Sequence, residues 1–334
     1  MIKLGIIGYG YWGPNLVRNF SNQKEGIVTV IAESKIDNHV QIAKLYPNIS
    51  IVNDAIELIN NVNIDAVVIA TPVFSHYILA KAALSSGKHV LLEKPMTASV
   101  DESKELIDLA KSKGLVLMVD HTFLYTGAVQ KMKSLIDDNQ LGKLQYFDST
   151  RINLGLFQPD VNVLWDLAPH DISILNFLVN KKPYSVNATG VSHTNNGIEN
   201  VAYMTINYQD DFIAHFNCSW TSPVKVRSTL IGGDEKMLVY NDLEPSEKIR
   251  IYDTGYNHRS DEEKSRVMVD YRTGDIFIPK ISSQEALFGV AYDFIDSIIH
   301  SKEPLANAEL GLDVVKVLEA SQKSIKNTGK EIII

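Results

Sequence analysis

Up to about residue 120 the chain alternates between short runs that are almost wholly apolar and longer segments whose apolar residues recur at helical spacing. The runs at 3–7, 28–32, 49–52, 65–70, 89–92 and 115–119 read as strands buried on both faces, the pattern that parallel sheets produce. Between them, a segment opening at Gly13 and others at 38–46, 54–60, 75–86 and 100–113 read as helices. Their ends carry stop and start signals. Pro47, Gly87 and Gly114 close three of them, and Ser99 with Glu102 forms a capping box at the start of the last. Strand and helix in alternation predict right-handed crossovers and a doubly wound, parallel α/β sheet.

The pattern then changes. One amphipathic helix at 128–137 is followed by segments with period-2 alternation: in 212–220, Ala214, Phe216, Cys218 and Trp220 alternate with His215, Asn217 and Ser219. Residues 201–208 and 226–231 behave alike, which predicts antiparallel strands with one face packed on helices. The opposite face of such a sheet is a candidate subunit interface. Residues 253–280 are rich in charge, Gly and Asn, with Arg272-Thr273-Gly274-Asp275 expected as a turn. Helices at 284–300 and 310–326 and a strand at 331–334 close the chain, and the change of pattern divides it into 1–122 and 123–334.

Composition narrows the partners. A length of 334 residues suits two domains, and a net charge of −8 argues against nucleic acid or an anionic membrane. No apolar run reaches a membrane span, and Met1-Ile2-Lys3 enters the first strand without the basic region of a signal peptide. The single cysteine, Cys218, excludes an internal disulfide framework and fits a reducing cytoplasm; its place among alternating apolar residues makes it core. No zinc-type Cys/His spacing, P-loop or G-x-S-x-G elbow is found, so no metal is expected.

The first strand runs into Gly8-Tyr9-Gly10-Tyr11-Trp12-Gly13-Pro14, a G-x-G-x-x-G between strand and helix. Gly8 permits the tight turn, Gly10 lets a pyrophosphate reach the backbone, and Gly13 lets the helix pack on the strand, with Pro14 harmless in its first turn. Glu33 stands twenty positions past Gly13 (33 − 13) at the end of the second strand, where a carboxylate accepts the adenosine ribose hydroxyls and repels a 2′-phosphate. NAD is therefore favoured over NADP, with Lys35 as the opposing signal. Tyr11, Trp12, Ser34, Ala70, Thr71, His76, Glu93 and Lys94 fall on the same expected cofactor cleft.

Two further constellations bear chemistry. In Glu93-Lys94-Pro95 the lysine sits at a strand C-terminus, where an ammonium can orient a nicotinamide ribose and a substrate hydroxyl; a solvated surface lysine is the plainer reading. In Trp165-Asp166-Leu167-Ala168-Pro169-His170-Asp171, a helical course places Asp166 and His170 on one face, an acid beside a proton acceptor. Pro169 argues for an irregular start, with His170 near the head of the helix through residue 179; a structural histidine is the alternative. Arg151 and Asn153 are candidates for an anionic or hydroxyl-rich substrate, against a solvated sheet-edge arginine. His121 lies beside Asp120 at a strand end, and His39, His193, His258 and His300 read as surface residues.

Gly8–Gly13, Ala70-Thr71-Pro72, Glu93-Lys94-Pro95 and Asp166-Leu167-Ala168-Pro169-His170 together resemble the glucose-fructose oxidoreductase, inositol dehydrogenase and rhizopine catabolism (Gfo/Idh/MocA) family over essentially the whole chain. The resemblance implies an N-terminal Rossmann domain, a C-terminal α/β domain with an open, mainly antiparallel sheet, NAD or NADP, and a homodimer or homotetramer built through that sheet. It implies that Lys94 contacts nicotinamide and substrate, that His170 accepts the proton, and that Asp166 completes the set. Where many members carry a second aspartate three residues past the histidine, this chain has Ser173, with Asp171 at the adjacent position. The segments 10–15 and 162–171 are similar to the branch that oxidises UDP-linked N-acetylglucosamine derivatives at C3 for surface polysaccharide. Ketosugar reduction, a free polyol or inositol-type substrate, and a non-catalytic NAD-responsive regulator remain open.

Overall fold

The computed structural model describes residues 1–257 and 270–334, so His258 lies outside the described residues. The chain forms two compact units, residues 1–126 with 284–319 and residues 127–283 with 320–334.

In the first unit the apolar runs become six parallel strands, β1 (Ile2–Ile7), β2 (Gly26–Ala32), β3 (Ser50–Val52), β4 (Ala66–Ile69), β5 (His89–Glu93) and β6 (Leu117–Asp120), in the order β3-β2-β1-β4-β5-β6. Every residue of β4 is buried, as a strand covered on both faces requires. Helices α1 (Gly13–Ser21), α2 (Ile36–Leu45), α3 (Ala55–Ile59), α4 (Val73–Ser85) and α5 (Val100–Lys113) make the crossovers. At the head of α5, Ser99 Oγ accepts the Glu102 amide at 3.3 Å, and Gly114 ends the helix at φ +64°. Because the strand order turns back between β1 and β4, the loops after these two strands part and leave a crevice at the C-terminal edge.

The second unit opens with α6 (Gly127–Asp137) and β7 (Leu144–Ile152), then α7 (Val163–Leu178) and seven strands: β8 (Ser185–Val191), β9 (Val201–Asn207), β10 (Ile213–Ser219), β11 (Val226–Gly233), β12 (Met237–Asn241), β13 (Ile249–Asn257) and β14 (Asp270–Phe277). With β15 (Ile332–Ile333) they form a nine-stranded sheet, β14-β13-β12-β11-β7-β10-β9-β8-β15, antiparallel except for β7 and β10. Along β10, Ala214, Phe216 and Cys218 are buried while His215 and Asn217 are half-exposed, the alternation read from the sequence.

Residues 284–319 pack with the first unit. Helix α8 (Ala286–His300) meets α1 through Phe20 and Phe294, whose rings meet edge-to-face with centroids 6.2 Å apart. Helix α9 (Ala308–Lys326) belongs to the first unit up to Glu319. Just before it, Ala306 accepts the Val119 amide at 3.0 Å and Asn307 bridges Met118, so the outer edge of β6 is covered.

Two expectations are corrected. Arg272–Asp275 is no turn but the middle of β14, paired with β13. Arg272 reaches Asp253 at 2.9 Å, and a Cβ on Gly274 would sit 2.7 Å from the Asp253 carboxylate, so the glycine makes room for a cross-strand side chain. The expected irregular start before His170 is also absent, because α7 runs unbroken from Val163 with Pro169 inside it. Asn162 caps this helix by accepting the amides of Leu164 (3.1 Å) and Trp165 (3.2 Å), which fixes its start a full turn and more before the proline.

Candidate functional site

At the crevice edge of the first unit, Gly8 has φ +96°, and a Cβ there would lie 2.6 Å from the Ala70 carbonyl oxygen. A Cβ on Gly13 would come equally close, 2.6 Å, to the Gly8 carbonyl oxygen. Both glycines are thus required by the protein's own packing, Gly8 where the chain leaves β1 beside Ala70 and Gly13 where the loop closes on itself. Gly10 differs: a Cβ there would meet nothing of the protein within 4 Å. The α1 N-terminus behind it has no side-chain cap at Trp12, and Tyr11 (86% exposed) and Trp12 (42%) stand out from the loop. Uncapped amides beside an open glycine are suited to an anion.

Glu33, buried at the end of β2, ties this loop down. One carboxylate oxygen accepts the Tyr9 amide at 2.8 Å and the other the Lys35 amide at 2.7 Å. Each oxygen keeps a second lone pair for an incoming hydroxyl. The Glu33 carbonyl meets His39 Nε2 at 2.7 Å, so His39, expected at the surface, is half-buried and holds the same corner, while Ser34 beside it is exposed. His193 and His300 are exposed as expected.

The ends of β4, β5 and β6 carry the ionisable groups. His76 is buried in α4 with Nδ1 2.9 Å from the Pro95 carbonyl and Nε2 2.8 Å from the Thr71 carbonyl. Burial lowers its pKa despite these carbonyls, so the neutral ring has one N–H for two acceptors. It links the β4 loop to the Lys94–Pro95 turn, whose peptide is cis. His76→Ala is expected to lower stability by about 1–3 kcal/mol, read from the urea midpoint, because a buried carbonyl loses its donor; an unchanged midpoint would remove this linking role.

Glu93 and Asp120 face one another in register across β5 and β6. Burial, then the charge of Asp120, push the Glu93 carboxyl up to about 8 against the pull of Lys94. Burial also raises Asp120, to about 6, opposed by the Thr122 hydroxyl that donates to its Oδ1 at 2.6 Å and by Lys94. His121 is 1% exposed with no hydrogen-bond partner at either ring nitrogen; burial and the Lys94 charge hold it neutral, with its pKa pushed down to about 3. The lysine therefore faces two acids and two neutral imidazoles. A cavity of about 280 Å³ lined by His89, Leu117, Lys302 and Asn307 lies at the opposite end of the strands, where β5 and β6 begin, and has none of this chemistry.

In the second unit, α7 places Asp166 and His170 four residues apart on a half-exposed face. Trp220 Nε1 donates to Asp166 Oδ2 at 2.9 Å and fixes the carboxylate. Ser173 Oγ donates to the His170 carbonyl at 2.7 Å. Arg151 is no edge arginine. It lies in β7, inside the sheet, 4% exposed, and clamps Asp171 through Nε (2.8 Å) and Nη2 (2.6 Å). Burial opposes its charge, yet Asp171 and the neighbouring acids keep its pKa above the ordinary value. Asn153, just past β7, is half-buried, and its backbone N–H donates to the Ser219 carbonyl at 3.0 Å. Asp120 meets Glu93 only through the register of β5 and β6, and Arg151 meets Asp171 only through the packing of α7 on β7; no local sequence pattern encodes either.

Comparison with known proteins fits these features. A family model described as an oxidoreductase family with an NAD-binding Rossmann fold matches residues 2–121, and one for the GFO/IDH/MocA C-terminal domain matches 129–239. An uncharacterized oxidoreductase of Escherichia coli, YdgJ, is 34% identical over 185 residues, 51% of each chain. UDP-N-acetylglucosamine 3-dehydrogenase of Acidithiobacillus ferrooxidans is 29% identical over 213 residues, 62% of this chain and 64% of that one. The matched stretch thus spans half to just under two thirds of these relatives. The fold is shared with a levoglucosan dehydrogenase solved with NADH and L-sorbose, at a TM-score of 0.84 and 20% identity over 100% of this chain and 99% of that one.

Proposed function

Because the chain belongs to the Gfo/Idh/MocA oxidoreductase family, we propose that it is a dehydrogenase that moves hydride from a sugar carbinol to NAD, acting at C3 of a UDP-linked N-acetylated sugar or its uronic acid. The observation that carries this reading is the cationic Lys94 set among Glu93, Asp120 and neutral His121 at the edge where the nucleotide loop opens. Among the residues present, the loop at Gly8, Gly10 and Gly13 fits a dinucleotide: the open space at Gly10 and the uncapped α1 amides suit a pyrophosphate, and the free lone pairs of Glu33 suit ribose hydroxyls.

Bound NAD supplies the hydride acceptor. Lys94 donates to the reacting hydroxyl and stabilises the alkoxide as it forms. His170 accepts the hydroxyl proton, and Asp166, held by Trp220, orients the imidazole. Glu33 repels a 2′-phosphate, which favours NAD over NADP. The segments 10–15 and 162–171 and the likeness to a UDP-N-acetylglucosamine 3-dehydrogenase support the substrate, and with it a place in surface polysaccharide synthesis in the cytoplasm. Exposed Tyr203, Ile213 and Leu230 on the nine-stranded sheet support assembly as a homodimer or homotetramer through it.

The test is a panel of UDP-N-acetylglucosamine, its uronic acid, N-acetylglucosamine and inositol with NAD or NADP, followed by nicotinamide absorbance. Reduction of NAD by the UDP-sugars alone is the expected result. Turnover confined to free polyols overturns the substrate, and cofactor binding without turnover on a broader panel that includes ketosugars with NADH overturns the enzyme in favour of a regulator.

A further inference from the structure

We propose that His121 is reserved for a ligand: its imidazole, beside Asp120 Oδ2, hydrogen-bonds an uncharged group that both donates and accepts, a hydroxyl or a primary carboxamide, brought to the end of β6. That this group belongs to the sugar or to the nicotinamide rests on the reading above; the reservation of the imidazole does not.

His121 is the first residue past β6, and its backbone is held on both sides. Its amide donates to the Val119 carbonyl at 2.8 Å, and its carbonyl accepts the Leu124 amide at 3.0 Å. The 122–125 turn that follows is fastened to α8 and beyond. The Tyr125 hydroxyl donates to Asp293 Oδ2 at 2.7 Å and accepts the Ala306 amide at 3.2 Å. The ring thus stands on a braced turn, with 1% of the residue exposed.

Neither ring nitrogen has a hydrogen-bond partner among the described residues, and neither does Asp120 Oδ2 next to it. An unmatched buried donor or acceptor costs stability, so native folds keep few of them. His76, the other buried histidine at this edge, shows what a structural role requires: a carbonyl lies 2.9 Å from Nδ1 and another 2.8 Å from Nε2. The fold supplies both partners to one imidazole and none to the other.

The unmatched atoms define what is bound. Burial, aided by the charge of Lys94, pushes the His121 pKa down to about 3, so at neutral pH the ring offers one N–H and one bare nitrogen. Asp120 Oδ2 adds an acceptor. A group that only accepts leaves the bare nitrogen unmatched, one that only donates leaves the N–H, and an anion meets a carboxyl. A hydroxyl or a primary amide serves both. The position agrees. Glu33 follows β2 and the glycine turn follows β1, whereas His121 lies on the other side of β1, at the end of β6. An acid after β2 takes the adenosine half of a dinucleotide, which leaves the β5–β6 side to the nicotinamide and to what reacts with it.

His121→Phe keeps the ring and removes both unmatched nitrogens. Without ligand its urea midpoint is expected to equal or exceed the parent's, because two desolvated polar atoms are gone. Its Kd, by calorimetry, is expected to weaken about tenfold or more for one of two ligands: NAD, or the sugar that the panel identifies, added to NADH-loaded protein. A loss toward NAD assigns the carboxamide, and an NAD analogue with a methyl ketone in its place is then expected to narrow the gap between the two proteins. A loss toward the sugar alone assigns a hydroxyl. Where the panel yields no sugar, the cofactor arm decides. The proposal is overturned if His121→Phe binds NAD and the sugar as the parent does; a lower urea midpoint alongside is the signature of an imidazole that holds an internal water only. Should the variant be destabilised or fail to fold, ring-nitrogen NMR spectra of the parent decide: the His121 signals are expected to move on saturation with NAD or the sugar, and signals that stay put with both overturn the proposal. A chain that oxidises no sugar overturns the reading above and leaves the cofactor arm standing.

Discussion

Replacing Lys94 with alanine is expected to lower turnover by about 10²–10⁴-fold while NAD affinity changes only a few-fold. The ammonium is asked to stabilise charge that exists only as the hydroxyl loses its proton, so its removal acts on kcat rather than on ground-state binding. His170→Ala is expected to lose a similar factor, because an unassisted hydroxyl is a poor hydride donor. The double variant is expected to be little worse than either single one, since groups that act on the same proton and the same developing charge do not add. Steady-state kinetics with NAD and the UDP-sugar that the panel identifies measure all three. Near-parental turnover in either single variant removes that residue from the reaction. Lys94→Arg is not expected to rescue, because a planar guanidinium cannot replace a compact ammonium between Glu93, Asp120 and a substrate.

How much of this was legible before the structure depends on the range of the forces involved. The six parallel strands are written into nearly continuous apolar runs, and β1, β4 and β5 each stop within three residues of a Gly or Pro. Gly8, Gly10 and Gly13 reveal the nucleotide loop because backbone geometry there leaves few residue choices, although only coordinates separate the two glycines demanded by packing from the one that is not. Proline at 169 misled the reading of α7: a local rule forbids it, but the Asn162 cap and ten buried residues of the helix outweigh one missing hydrogen bond. The polar stretch around Arg272 misled for a related reason. Cross-strand pairing with Asp253 stabilises a strand that composition alone marks as a turn. The acids at 93 and 120 are twenty-seven residues apart (120 − 93), and nothing in either neighbourhood says that the β5–β6 register makes them a pair.

Asp171→Ala is expected to destabilise the second unit by about 3–5 kcal/mol, seen as an early loss of its unfolding transition in urea, while the first unit's transition stays close to the parent's. The reason is asymmetric. Arg151 is clamped by both carboxylate oxygens, with 5% and 4% of the two side chains exposed, and the substitution strands a guanidinium where water cannot replace the lost partner. Removing both charges together, as Arg151→Met with Asp171→Leu, is expected to recover most of the loss, since an apolar pair of similar volume carries no desolvation penalty. A loss below about 1 kcal/mol in Asp171→Ala, the range of an exposed ion pair, would show that the clamp is open to solvent. The location of the pair sharpens the expectation. Asp171 follows His170 directly on α7, and Arg151 anchors it to β7, so the ion pair sets the rotation of the helix that presents Asp166 and His170. The Met/Leu variant keeps the helix packed but gives up this directional hold. Its turnover is therefore expected to fall even where its stability is restored, and full activity in a stable Met/Leu variant would show that apolar packing alone orients α7.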